Sequence, residues 1–278
     1  MSRAKMLSFP TARRTVCSAA VIVLVALGLF ASACGSSGAG GGGSASGQRV
    51  ELLVSAAADL SPVLEELAPL FEKQSGVTIK TNIGSTGQLT QQIAAGAHVD
   101  VFLAASKASV DQLAQKGLIV AGSEQQYARG RLVLWTRPGS AVTVKSLQDL
   151  TGADVKRVSI ANPDHAPYGQ AAKQALQSAG LWDQLQPKLV PAENVLQAFQ
   201  FASTGNTDVA LVALSLVAKQ KGTYTLVPEA SYQPINQTLA IPASSTHQEQ
   251  AKEFIAFLRG PQGRDILTKY GFVLPDGG

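Results

Sequence analysis

Val50-Glu51-Leu52-Leu53-Val54-Ser55-Ala56-Ala57-Ala58-Asp59-Leu60-Ser61-Pro62 carries the chain from an apolar run, through a turn of small residues, into a helical pattern. Val50 to Ser55 reads as a strand. Beyond it Val63, Leu64, Leu67, Leu70 and Phe71 recur at three- and four-residue spacing, which predicts a helix over Pro62 to Gln74. Pro62 suits the first turn of that helix, and Gly76 lies just past its end. The same strand-turn-helix unit recurs outward along the chain. Val77 to Asn82 and Asp100 to Ala104 read as strands, with helices over Gln88 to Ala95 and Lys107 to Lys116. A second set follows. Its strands are Arg131 to Thr136, Val158 to Ala161, Leu189-Val190 and Asp208 to Ala213. Its helices are Gly169 to Ser178, Glu193 to Ala202 and Leu214 to Lys221. Strand Thr238 to Ile241 and helices Gln248 to Arg259 and Gln262 to Tyr270 end the chain. Alternation of this kind implies an α/β fold with mostly parallel sheets covered on both faces. A folded part of about 230 residues is long for one core and suits two lobes.

Ligands of such folds bind where strands end and helices begin. Four of these turns draw notice. They are Ser55 to Pro62, Ile83-Gly84-Ser85-Thr86-Gly87-Gln88-Leu89, Ala161 to Gly169, and Pro191-Ala192-Glu193-Asn194-Val195. Free N–H groups and the helix dipole make helix starts anion sites. Ser85 and Thr86 add hydroxyl donors, and Gly84 and Gly87 allow close approach of backbone. Taken singly, such residues are more often caps than ligand contacts. Neither of the first two turns holds Lys or Arg, and the Gly-x-x-x-x-Gly-Lys phosphate loop is absent. Asp164 and His165 read as turn formers, because no Gly-x-Ser-x-Gly elbow accompanies them.

The N-terminal residues supply an address. Arg3, Lys5, Arg13 and Arg14 precede the apolar run Val21 to Phe30. Then come Ala31-Ser32-Ala33-Cys34 and a tract from Gly35 to Gly47 made only of Gly, Ser and Ala. This predicts a signal peptide over 1–33. The Cys after Ala-Ser-Ala resembles a lipobox, with lipid attached at Cys34. The apolar run falls short of the roughly 20 residues a spanning helix needs. Residues 34–47 become a tether with a reach of about 20 Å. The expected location is the cell membrane, lipid-anchored on the extracytoplasmic face.

Four of the 23 Lys and Arg fall in the leader, which has no acid, so 19 remain to face the 19 Asp and Glu. The net charge of +4 thus belongs to the leader, and nucleic acid loses its support as a partner. Cys17 and Cys34 leave no disulfide or thiolate metal site. His98, His165 and His247 are scattered, with no H-x-x-x-H pair, so a histidine zinc site is not expected. Few histidines and no free thiol also argue against an exported hydrolase or transferase. A surface adhesion module would leave the four turns unexplained.

Through these turns the chain resembles the substrate-binding proteins of bacterial molybdate ABC transporters, over roughly Val50 to Leu274. The matching stretches are Ala56-Ala57-Ala58-Asp59-Leu60, Gly84 to Leu89, Asp100-Val101-Phe102-Leu103-Ala104-Ala105, Ala161-Asn162-Pro163 with Pro167-Tyr168-Gly169, Pro191 to Val195, Gly260-Pro261-Gln262 and Tyr270-Gly271-Phe272. The resemblance implies the two-lobed periplasmic-binding-protein type II fold. Its two hinge crossings fall near Arg129–Thr136 and Asn236–Ile241. Lobe 1 is then 48–129 plus 238–278, and lobe 2 is 130–237. It implies a monomer that is not an enzyme and needs no cofactor, delivering molybdate or tungstate to an ABC permease. Ala58, Asp59, Thr86, Tyr168 and the Val195 N–H are the implied contacts, with Ser85 and Gly87 in support. A receptor for another oxyanion, sulfate or phosphate, is the alternative on the same fold. Asp59 departs from the Ser or Asn common there. Ala213 replaces a Tyr that some members use, which leaves Tyr168 as the phenolic donor.

Molybdate is a dianion that only accepts hydrogen bonds, so N–H and O–H donors satisfy it without a cation. Hydrogen phosphate brings a proton that an all-donor pocket leaves unpaired. Asp59 strains this picture: a carboxylate about 5 Å from a dianion costs on the order of 6 kcal/mol at an effective dielectric near 20. The expected resolution is that its side chain turns away to cap the following helix. The other is that it accepts the proton of a protonated oxyanion, which would favour phosphate or arsenate.

Overall fold

The computed structural model describes residues 50–275. The expected signal peptide, Cys34 and tether lie outside the described residues. Along the chain come β1 (Glu51–Ala57), α1 (Ser61–Ser75), β2 (Thr78–Gly84), α2 (Thr86–Ala94), β3 (Val101–Ala104), α3 (Lys107–Gln115) and β4 (Gln125–Gly130). Then follow β5 (Leu132–Thr136), β6 (Val158–Ala161), α4 (Pro167–Ser178), α5 (Trp182–Leu185), β7 (Leu189–Ala192), α6 (Val195–Ser203), β8 (Val209–Ala213), α7 (Leu214–Val217) and β9 (Thr223–Leu226). β10 (Ile235–Ala240), α8 (Gln248–Arg259) and α9 (Pro261–Lys269) complete the order.

The strands form two five-stranded sheets, β2-β1-β3-β10-β4 and β7-β6-β8-β5-β9. The fold is α/β and two-lobed, one sheet to a lobe. Each sheet is mixed. β2-β1-β3 and β7-β6-β8 are parallel trios, to which β10 and β5 add antiparallel, followed by β4 and β9. The chain leaves the first sheet after Gly130 and enters the second at Leu132. It leaves the second after Leu226 and re-enters the first at Ile235. The antiparallel strands thus adjoin the crossings, whereas the parallel trios carry the strand-turn-helix units.

Alternation explains how a four-residue strand is buried on both faces. Val101 and Leu103 of β3 join one core with α1, α8 and α9, while Phe102 and Ala104 join another with α2 and α3. In α1, Val63, Leu64, Leu67 and Phe71 are buried as the periodicity predicts, but Leu70 is exposed. The helix expected over Leu214 to Lys221 is a single turn. All four residues of that turn are buried, and apolar content stops soon after. No helix among the described residues is long and apolar enough to cross a membrane.

Candidate functional site

The two sheets point the C-terminal ends of their parallel strands at one another. β1 runs directly into a 3-10 turn, Ala58–Leu60. β2 ends at Gly84, with Ser85 in extended backbone before α2. In the second sheet β6 leads through Asn162 to Ala166 into α4. β7 leads to Asn194, whose side chain accepts the Gln197 N–H at 3.0 Å and so caps α6. Ala57, Ala58, Asp59, Ser85, Thr86, Ala105, Ala166, Pro167, Tyr168, Asn194 and Val195 line one small pocket between these ends. Ala58, Asp59, Thr86, Tyr168, Val195 and Ser85 are therefore brought together, and none of the lining residues is Lys or Arg. The walls nearly meet, leaving about 10 Å³, the scale of a single water. A roomier groove of about 590 Å³ beside Phe71, Phe257 and Pro261 has no such convergence of helix starts.

Several donors face this space. Thr86 Oγ1 accepts the Ala105 N–H at 3.0 Å, which leaves its own proton to give. Val195 opens α6 and Ala58 opens the 3-10 turn, so neither N–H has a carbonyl one turn back. Gly87 stands just behind. Its N–H donates to the His165 carbonyl at 2.9 Å, joining the first sheet's turn to the second's. A Cβ at Gly87 would lie 2.5 Å from that oxygen, so only glycine allows the approach. Ser85 Oγ lies between Gln88 Oε1 at 3.0 Å and His165 Nδ1 at 2.8 Å, and is thus committed to the wall. His165 is more than a turn former: it bridges the cleft. Gln88 Nε2 adds a bond to Glu193 at 2.7 Å.

Asp59 does not cap α1, and the expectation that it would is overturned. Its carboxylate is fully buried and turned toward the crossings. Oδ2 accepts from the Tyr168 hydroxyl at 3.0 Å and from Gln237 Nε2 at 2.5 Å. Tyr168 therefore spends its one phenolic proton on Asp59 rather than on the pocket. Ser215 donates to the Asp59 carbonyl at 2.7 Å and holds the backbone in place. The other carboxylate oxygen, Oδ1, is buried without a partner. Burial pushes the Asp59 carboxyl up from 3.8 to about 6, against the lowering pull of the Tyr168, Gln237 and main-chain bonds. Burial, and then the Asp59 charge, hold the Tyr168 and Tyr127 phenols well above the ordinary 10.

Gln237 reaches this cluster because β10 slips register between Gln237 and Thr238, and a bulge re-aims a side chain. Tyr127 on β4 donates to Gln237 Oε1 at 3.4 Å. Gly130 lets Tyr168 lie against β4, since a Cβ there would collide with the phenol oxygen. Sequence reasoning missed Gln237, Tyr127 and Gly130. The signal was weak, because Gln237 stands between Asn236 and Thr238 in the polar half of its strand.

The sequence profile of the bacterial extracellular solute-binding proteins matches residues 52–273. The chain belongs to that family. The molybdate-binding protein ModA of Azotobacter vinelandii is 37% identical to this solute-binding protein over 237 residues, covering 82% of this chain and 91% of the relative. ModA of Rhodobacter capsulatus is 35% identical over 224 residues, covering 80% and 88%. The solved structure of the Azotobacter vinelandii periplasmic molybdate-binding protein superposes with a TM-score of 0.77 at 34% identity, covering 81% of this chain and all of that one.

Proposed function

We propose that this solute-binding protein captures molybdate or tungstate in the pocket between the strand ends and delivers it to an ABC permease. The observation that carries the reading is the convergence of helix starts and the Thr86 hydroxyl, without a cation, at one pocket. A fully deprotonated tetrahedral oxyanion accepts from such donors and needs no counter-charge. The relatives named for molybdate support that choice over sulfate, which has the same charge in a smaller volume. The proposed direct contacts are the Ala58 and Val195 N–H groups, the Thr86 hydroxyl and the Asp59 main chain. Ser85, Gly87 and Tyr168 set the walls. Closure of lobe 1 (48–129 plus 238–278) on lobe 2 (130–237) around the anion signals the loaded state. Cleavage before Cys34, its lipidation and the tether keep a monomeric receptor beside its permease on the extracytoplasmic face. The protein performs no chemistry on its cargo and uses no cofactor.

The test is a titration of Trp135 and Trp182 fluorescence with molybdate, tungstate, sulfate and phosphate. Molybdate and tungstate should saturate the change. Sulfate competing at comparable concentration contradicts the reading.

A further inference from the structure

The far end of the first sheet, where its parallel strands begin, gathers side chains of a different chemistry. Asp100 immediately precedes β3, His98 lies two residues before it, and α8 starts from His247. His98 Nε2 is 3.6 Å and His247 Nδ1 3.4 Å from the same oxygen, Asp100 Oδ1. One ligand atom from each residue lies within 4.8 Å of the other two. Both nitrogen–oxygen separations exceed the 2.7–3.2 Å or so of a good N–H···O bond. They match the roughly 3.4 Å between neighbouring ligands of a tetrahedral zinc ion with bonds of about 2.0–2.2 Å.

The carboxylate is fixed in place. Asp100 is 1% exposed, Oδ2 accepts the Leu53 N–H at 2.9 Å, and Oδ1 accepts the Ser245 hydroxyl at 2.8 Å. Ser245 Oγ in turn accepts the His247 N–H at 3.2 Å, so one hydroxyl orients both a carboxylate and a histidine main chain. Such outer bonds are what hold metal ligands in register. The two imidazole side chains are 50% and 36% exposed, so an ion reaches the site from solvent and keeps water in its remaining position.

We propose that His98, Asp100 and His247 form a binding site for a divalent transition-metal ion, with zinc the ion suited to two imidazoles, one carboxylate and water. The site is separate from the anion pocket: Asp100 precedes β3, whereas Ala105, which lines the pocket, follows it. A bound ion fastens the start of α8 to the turn before β3 and stiffens that end of the first lobe. The sequence concealed it, because His98 and His247 lie far apart along the chain and no short spacing links them.

Calorimetry with zinc chloride alone tests this on the chain carrying Cys17→Ser and Cys34→Ser, so that thiols cannot take up the metal. One ion per chain is expected. His98→Ala and His247→Ala should each weaken binding roughly tenfold or more, at least as much as losing an outer-shell partner does. His165→Ala, at the remaining histidine of the chain, should leave it unchanged. Zinc should raise the Tm of the parent and not of the His98→Ala/His247→Ala double variant. No uptake by the parent, equal affinity in either single variant, or loss on His165→Ala overturns the proposal. Molybdate is absent from every arm, so the outcome does not depend on the oxyanion reading.

Discussion

Asp59 is the residue on which the chemistry of the pocket turns. A carboxyl raised to about 6 holds its proton in the folded state between the ordinary 3.8 and about 6, where the unfolded chain releases it. Its contribution to stability is therefore full below 3.8 and is lost as pH rises through about 6. The span is worth about 3 kcal/mol at 1.36 kcal/mol per unit. Asp59→Asn has no such term and supplies an amide donor in place of the unpartnered oxygen. In urea unfolding from pH 4 to 7, the variant should gain on the parent by about 3 kcal/mol over the window. Parallel pH profiles would contradict this account of the carboxyl. The substitution should also strengthen molybdate binding at pH 7, where it removes a buried negative charge, and flatten the dependence of affinity on pH. Calorimetry at pH 5.5 and 7.5 reads both effects, and a loss of affinity beyond about tenfold, or 1.4 kcal/mol, runs against them. The sequence placed Asp59 at the pocket but misdirected its side chain. Local capping rules weigh neighbours along the chain, whereas its partners Tyr168 and Gln237 arrive from distant strands and helices.

At the scale of elements, the parallel strands and their helices were readable in the sequence. A continuous apolar run or a 3.6-residue periodicity is a strong local signal, as β3, α1 and α8 show. β4 and β9 were not readable. β4 holds Gln125, Gln126 and Arg129 among its six residues, and β9 has exposed Tyr224 and Leu226. Neither therefore presents a simple buried pattern. The register slip at Gln237, which brings an amide to Asp59, is likewise a property of pairing and not of composition. Gly130, the last residue of β4, carries a prediction at this scale. Gly130→Ala drives a methyl into the Tyr168 phenol and toward Gln237 Nε2 at 3.2 Å. The expected cost is about 1–3 kcal/mol, as for overpacking of a filled interior, with molybdate affinity reduced as Tyr168 is displaced. Thermal unfolding and calorimetry check the pair, and an unperturbed variant would mean that β4 does not hold the phenol.

For the whole molecule, specific polar contacts join the two sheets, beside alanines of the first sheet's turns, Ala57, Ala58 and Ala105, that pack into the second sheet's core. Gly87 on His165, Gln88 on Glu193, Ser215 on Asp59 and Tyr168 on Asp59 all cross the cleft at the pocket. Most of each lobe's apolar side chains stay in that lobe's own interior, and the interchangeable polar bonds lie where an anion enters. The candidate site was legible from its four turns because each is local. How close their walls stand was not, because it depends on two crossings far apart in sequence. A cation-free donor pocket selective for a large tetrahedral oxyanion can be tested by elemental analysis. Purified protein is dialysed against a mixture of molybdate, tungstate, sulfate and phosphate, then freed of unbound ions. Molybdenum and tungsten together should reach one per chain. Protein that retains neither metal, or in which excess sulfate or phosphate displaces them, would contradict the account.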